Sequence, residues 1–462
     1  MIVTNARVLT FDDANRVLEG ATVEIAPDGS IARVEEGVGG RVWGAGPEGL
    51  GSGAPRHPTP HTLHPADEVL DAQGRLLMPA LVNCHTHLYS TLARGITLRG
   101  RAPKNFVEIL RKLWWRLDRA LDPDDVYYSA LVGLIDAAKN GVGTLVDHHS
   151  SPNAVAGSLD LIERAFREVG LRGVLCYETS DRDGPATAAA AIAENVRFLE
   201  RARATKDGLV AATFGLHASF TLSDRTLRRA VEAAAGLGTG FHIHVAEDRA
   251  DLRHARQRHH KTVVRRLRDL GVLGERTLAA HCIHVTRGDI ASLARIGTAV
   301  AHNPQSNSNN AVGVARLIEL LRAGVLVGLG SDGYSPRMWE EFKTAFHLQK
   351  IRTGDPRVGY AEAYAVAFLN NRTIVKRLWG MDVGRIAPGA RADLLLVDYD
   401  PPTPLEPGNL FGHLLFGIAN APIDTLIVNG RTVLRDKRCI TVDERAVAER
   451  ARRQAKALWE RF

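Results

Sequence analysis

Long apolar runs are missing from this chain. No stretch approaches the ~20 consecutive apolar residues that a membrane-spanning helix needs, so no membrane role is expected. The start, Met1-Ile2-Val3-Thr4-Asn5-Ala6-Arg7, lacks a basic segment followed by an apolar one, and no secretory signal is read there. Cysteine is scarce. Cys84, Cys176, Cys282 and Cys439 are scattered and form no Cys-x-x-Cys, which suits reduced thiols and a cytoplasmic location better than a disulfide framework. The net charge of +7 comes from dispersed arginine with no aromatic-interleaved basic patch, so no nucleic-acid partner is expected. No Gly-rich loop suited to cradling a phosphate is found. What the chain has is size: 462 residues, 45% hydrophobic, can bury a barrel-sized core and a smaller one beside it.

Residues 1–36 read as short strands with a turn at Pro27-Asp28-Gly29, and 37–66 as a Gly/Pro-rich loop containing His57, His61 and His64. From residue 79 short apolar runs alternate with amphipathic stretches. The runs are 81–87, 144–150, 173–180, 210–218, 240–247, 278–284, 298–304 and 325–332. Eightfold strand–helix alternation predicts an α/β fold, a (β/α)8 TIM barrel over 79–383. Strand-like segments return in 384–440 and are expected to pair with residues 1–78 into a small composite β-sandwich. Residues 441–462 read as a basic amphipathic helix packed on the surface.

In such a barrel the chemistry sits where the strands end. Polar residues cluster at those ends: His85 and His87, Asp147-His148-His149, Glu178, His217, His244 and Glu247, His281 and His284, His302-Asn303, and Asp332. His85 and His87 are two apart, so on a strand both leave one face and can point at one metal ion. The pattern alone is cheap, since His242-Ile243-His244 repeats it and 18 histidines should yield roughly one by chance. Catalytic zinc needs three or four N/O ligands and an open position. His244 with Glu247, His281, and Asp332 between glycines supply ligand-type side chains at strands five, six and eight. Each alone is more commonly structural; together they point to a metal site.

Five motifs then make the chain recognisable: Pro-Ala-Leu-Val-Asn-Cys-His-Thr-His (79–87), His-Ile-His-Val-Ala-Glu (242–247), Ala-His-Cys-Ile-His (280–284), Ala-His-Asn-Pro-Gln-Ser-Asn (301–307) and Gly-Ser-Asp-Gly (330–333). In this order, and with Gly-Arg-Ile-Ala-Pro-Gly-Ala-Arg-Ala-Asp-Leu (384–394), the chain resembles the amidohydrolase superfamily. Its branch is that of the cytosine, guanine and adenosine-type deaminases and triazine hydrolases. Trp114–Leu121, Asp147–Pro152 and Ser306–Asn310 make it most similar to SsnA-type aminohydrolases.

The resemblance implies His85, His87, His244 and Asp332 as metal ligands, with Glu247, His281 and Asp332 catalytic. His242, one pleat back from His244, is expected behind the ligands. The carboxylated lysine of binuclear relatives has no counterpart, because the run 210–218 contains no lysine and carries His217 near its end. One divalent ion is therefore expected, zinc first, with iron or manganese accepting the same donors. His217 matches a substrate-contact position in related deaminases, and Trp114, Trp115, Arg182 and Asn307 are further candidate contacts.

The implied reaction is deamination of an amino-substituted purine-, pyrimidine- or triazine-like heterocycle, with release of ammonia. Asp332 and His281 would orient a water and take its proton, and Glu247 would protonate the ring nitrogen. Ring-opening hydrolysis at the same site is the alternative, dechlorination a minor one. A catalytically dead barrel used for assembly is the reading from another class, and the complete donor set argues against it. A small-molecule heterocycle and a homodimer are the expected partners.

Overall fold

The structure, a computed structural model, describes residues 1–37, 68–98, 100–205 and 207–462. The Gly/Pro-rich stretch, apart from residue 37, lies outside the described residues together with His57, His61 and His64.

The apolar runs form the barrel. Its strands are β1 (Leu81–Thr86), β2 (Val142–Asp147), β3 (Arg172–Leu175), β4 in two pieces (Val210–Ala212 and Phe214–Ala218), β5 (Phe241–Val245), β6 (Leu278–His281), β7 (Ala299–His302) and β8 (Val327–Leu329). All pair in parallel with their neighbours. Parallel strands covered on both faces read as continuous apolar runs, and β1, β2 and β5 are buried from end to end. The break in β4 divides the ladder: the first piece pairs with β3, the second with β5. A bridge between Thr179 and Leu216 spans that break. Closure between β8 and β1 comes just past β8, where Ser331 N and Asp332 N both donate to His85 O at 2.9 Å. Gly330 permits this approach, since a Cβ there would lie 2.8 Å from the His85 backbone nitrogen.

The two ends of the chain meet in one nine-stranded sheet. Leu394–Val397, after the barrel, runs antiparallel to Leu76–Pro79, before it, and also to Ile423–Val428. Alternation of side chains gives this sheet two cores. Leu77, Leu394, Leu396 and Ile427 join Val3, Val8, Val23 and Ile31 inside the small domain. Leu76, Met78, Leu395, Val397, Leu426 and Val428 face the barrel helices instead.

Asp122-Pro123-Asp124-Asp125 starts the helix Pro123–Lys139 with a capping box and a proline in its first turn. Against that helix lies Glu444–Arg461, started by Asp443, with Leu458 fully buried and Trp459 Nε1–H donating to Leu92 O at 2.8 Å. Among the described residues no helix is long and apolar enough to cross a membrane.

Candidate metal centre and active site

Most of the strand-end residues named from the sequence arrive at one mouth, but His284 turns away, its Nε2–H donating to Val312 O at 2.8 Å. The backbone bends sharply to deliver several of them: Ala246, His281, Cys282 and Asp332 all adopt left-handed φ, at 49°, 72°, 47° and 58°. Each such non-glycine residue costs ~1–3 kcal/mol and persists only where its surroundings enforce it.

His85, His87, His244 and Asp332 converge. Asp332 Oδ1 lies 3.0 Å from His87 Nε2 and 3.4 Å from His85 Nε2, and His87 Nε2 lies 3.2 Å from His244 Nε2. The outer nitrogens fix the tautomers. His87 Nδ1–H donates to His148 O at 2.6 Å, and His244 Nδ1–H donates to His217 O at 2.7 Å. Both Nε2 atoms therefore face each other beside a carboxylate, the ring nitrogens through which the two imidazoles can bind an ion. His85 Nε2, fully buried, has no hydrogen-bond partner, while its Nδ1 meets His242 Nε2 at 2.9 Å. Converging ring nitrogens with carbonyl-fixed tautomers are the donor set a divalent ion requires. His85 and His244 are shared by two overlapping groups able to hold a metal, His85–His87–His148–His244 and His85–His244–His281–Asp332, which add His87 and Asp332 respectively.

Beneath lies a third group, His148, Cys176 and His242. His148 Nε2–H donates to His242 O at 3.1 Å and His242 is engaged by His85, so these residues brace the ligands from behind. Burial, with Asp147 nearby, holds the Cys176 thiol well above its usual range.

The remaining acid–base groups face the same point. Asp332 Oδ2 accepts from Ser306 Oγ at 2.6 Å and lies 3.7 Å from His281 Nε2. Burial opposes its charge, yet His85 and His87 hold the carboxyl well below its usual range. His281 Nδ1–H donates to Asn307 Oδ1 at 2.8 Å, which leaves Nε2 bare and 3.7 Å from Glu247 Oε2. Burial and the charge of Asp332 push the Glu247 carboxyl well above its usual range, favouring its protonated form.

A solvent-open cavity of about 680 Å³ lies over this centre. Trp114 and Trp115 line one wall with Phe106, Leu110 and Phe220; His217, Arg182 and Glu247 line others. Of the contacts expected from sequence, Asn307 goes elsewhere. It is 1% exposed, does not line the cavity, and holds His281. Its direction follows from the helix Pro304–Asn309, which turns residue 307 inward toward β6.

Two acids of the cavity wall, Asp118 and the strand-end Glu178, carry no role in the sequence reading. Asp118 Oδ2 accepts from Arg182 Nη1 at 2.9 Å, and the guanidinium lies 5.3 Å from the Trp115 ring. Burial pushes Asp118 up to about 6 although Arg182 opposes the shift. Glu178 follows β3, with His148 Nδ1 3.1 Å and His87 Nδ1 3.3 Å from its Oε1. Burial would raise its carboxyl, but His217, His148 and His87 hold it well below the usual range. Glu178 and Arg182 are four residues apart past β3, and that spacing was the available signal.

A barrel with imidazoles and a carboxylate converging at its mouth defines a metal-assisted hydrolase. The chain matches the amidohydrolase family over residues 76–433 and belongs to it; it is an enzyme that hydrolyses C–N bonds. It is 34% identical over 441 residues to a 5-methylthioadenosine/S-adenosylhomocysteine deaminase of Desulforudis audaxviator, covering 94% of this chain and 95% of that one. It is 31% identical over 463 residues to a 5'-deoxyadenosine deaminase of Methanosarcina acetivorans, covering 99% and 98%. In fold it is similar to an adenosine deaminase of Xanthomonas campestris solved with bound zinc. That match has a TM-score of 0.83 and 22% identity, covering 100% and 98% of the two chains.

Proposed function

We propose that His85, His87, His244 and Asp332 hold one divalent metal ion, zinc first, and that Glu247, His281 and Asp332 carry the proton transfers. The reaction is hydrolytic deamination of an amino-substituted heterocycle. The observation that carries the assignment is the convergence of His87 and His244 Nε2, 3.2 Å apart, with Asp332 Oδ1 beside them. Held by these residues, a divalent ion would supply Lewis acidity, lowering the pKa of a water toward neutrality. Asp332 Oδ2, steadied by Ser306, and His281 Nε2 orient that water and accept its proton. Glu247, kept protonated by its surroundings, gives a proton to the ring nitrogen next to the carbon under attack. His281, its ring fixed by Asn307, stabilises charge developing on the added oxygen, and the proton taken from the water passes to the amino nitrogen, so the C–N bond breaks and ammonia leaves. The apolar wall of Trp114 and Trp115 takes the flat ring.

The named relatives are deaminases of adenosine derivatives, and the cavity over the centre opens to solvent beside Trp114 and Trp115, so an aminopurine nucleoside is the preferred substrate class. The test is ammonia release from adenine nucleosides, guanine, cytosine and aminotriazines by metal-loaded protein. Rapid release with the ring chromophore retained is expected from an aminopurine. Silence across the panel with metal bound, or loss of the chromophore, would overturn deamination.

A further inference from the structure

The ladder of the barrel is open at two seams. Four strands, β1 to the first piece of β4, form one sheet, and five, the second piece of β4 to β8, form another. The metal centre straddles the seam between β1 and β8. His85 and His87 lie at the end of β1 in the first sheet, whereas His244 in β5 and Asp332 just past β8 belong to the second. Whatever holds β1 and β8 in register therefore sets how far two ligands stand from a third.

A buried side chain fills that seam. Asn371 opens the helix Asn371–Trp379, is fully buried, and inserts its amide between the two strands. Its Nδ2–H groups donate to Val82 O of β1 at 2.6 Å and to Leu329 O of β8 at 3.0 Å. Its Oδ1 accepts from Leu329 N at 2.7 Å and from Cys84 Sγ at 3.1 Å. Both hydrogens and both lone pairs of the amide are used, and only this orientation satisfies the backbone groups it meets. Gly328 makes the room, since a Cβ there would lie 2.4 Å from Asn371 Oδ1. Asn370, one residue earlier, extends the tie by donating to Val327 O at 2.7 Å.

The other seam, between β3 and β4, is closed in the same way. Asn195, also fully buried, accepts at Oδ1 from Tyr177 N at 2.9 Å and Gly215 N at 3.1 Å, and its Nδ2–H donates to Tyr177 O at 2.8 Å. A Cβ on Gly215 would lie 2.2 Å from Tyr177 O. One asparagine and one glycine at each break show the amide standing in for missing ladder bonds. The seams differ in what they carry: β3 and β4 lead to Glu178 and His217, β1 and β8 to metal ligands.

We propose that Asn371 is a positioning residue for the metal centre: by tying Val82 and Cys84 to Leu329 it fixes the distance across the seam between His85 and His87 on one side and Asp332 on the other. This role rests on the metal-centre reading and adds to it a residue that meets neither ion nor substrate. Nearer the mouth the seam has bonds of its own, from Ser331 N and Asp332 N to His85 O and from Asn83 Nδ2–H to Ser331 Oγ at 2.8 Å. Those bonds sit in the turn where Asp332 takes its left-handed φ of 58°, a conformation that lasts only while the strands beneath it are held.

The test is zinc affinity, measured by chelator competition on folded protein, for the wild type, Asn371→Ala and Arg172→Met. Removing the amide leaves Val82 O, Leu329 N and Leu329 O without their partner, so the strands must shift or admit water. Zinc should bind ~10–100-fold more weakly to Asn371→Ala, the range typical when the support of a metal site is removed. Arg172→Met, at the far end of the barrel, lowers stability without touching the seam and should keep wild-type affinity. Asn371→Thr returns one hydroxyl to the seam and should recover part of the loss; it takes the place of the alanine variant if that one does not fold. Wild-type affinity in the Asn371 variants, or an equal loss in Arg172→Met, overturns the positioning role and leaves the metal centre standing. A wild type that binds no zinc would sink the metal-centre reading and the positioning role with it.

Discussion

The two ends of the barrel are built on opposite principles. At the end where the strands begin, Arg172 is 1% exposed and its Nε and Nη2 donate to the two oxygens of Asp393 at 2.8 and 2.9 Å. The same guanidinium donates to Gly208 O, and Asp393 also accepts from Asn429 N at 2.8 Å. That end ties barrel to sheet with its charges satisfied. At the other end His85 Nε2, Asp118 Oδ1, His281 Nε2, both nitrogens of His302 and Asn303 Oδ1 are buried without partners, and strained φ angles accumulate. Charge is neutralised where the fold needs stability and left unpaired where it needs a ligand.

Variants at the two ends should therefore separate activity from stability. The largest effect expected is from Glu247→Gln: kcat falls ~10²–10⁴-fold while metal analysis shows the ion retained. Near-normal turnover would remove Glu247 from the proton transfers. Next comes Arg172→Met, which strands the buried Asp393 charge and should cost ~3–5 kcal/mol in denaturant unfolding. Turnover per folded molecule should stay near wild type. A variant that loses turnover but not stability would erase the contrast between the ends.

Asn307→Ala sharpens the comparison inside the mouth. It removes the acceptor that fixes His281 Nδ1–H, and partners of this kind are typically worth ~10–100-fold in activity. Direct substrate binding by Asn307, as the sequence motif suggests, would instead raise KM with kcat preserved. A fall in kcat at unchanged KM is expected.

The ligands were legible in the sequence because a parallel barrel strand is apolar until it reaches the mouth, so the first polar residues after each run mark the site. The composite sheet was legible from strand-like character at both chain ends, and Leu394–Val397 beside Leu76–Pro79 is its seam. What the sequence does not carry is direction. Residues 173–180 form one apolar run, yet β3 stops at Leu175, and Tyr177 and Thr179 continue as isolated bridges that aim Glu178 at the cavity. Similarly, 278–284 reads as one strand, but left-handed His281 and Cys282 end it early. The segment carrying Trp114 is a π-helical turn, Leu110–Trp114, between two short helices, too brief for periodicity to register.

The smallest effect expected lies between the two ends. The helix Glu444–Arg461 spans them: Glu444 pairs with Lys139 at 2.5 Å, and Trp459 reaches Leu92, in the turn after β1. Trp459→Phe keeps an aromatic ring but loses the hydrogen bond to Leu92 O, a net ~0.5–1.5 kcal/mol. The turn Leu88–Ala93 is held separately by Asp147 Oδ1, which accepts from Leu88 N at 2.8 Å, and by Ser129 Oγ, which donates to Tyr89 O at 2.9 Å. His87 should therefore keep its place, and kcat/KM should match wild type while the unfolding midpoint drops slightly. A large fall in kcat/KM with metal still bound would mean that the terminal helix, not the mouth's own hydrogen bonds, sets the position of β1's last residues.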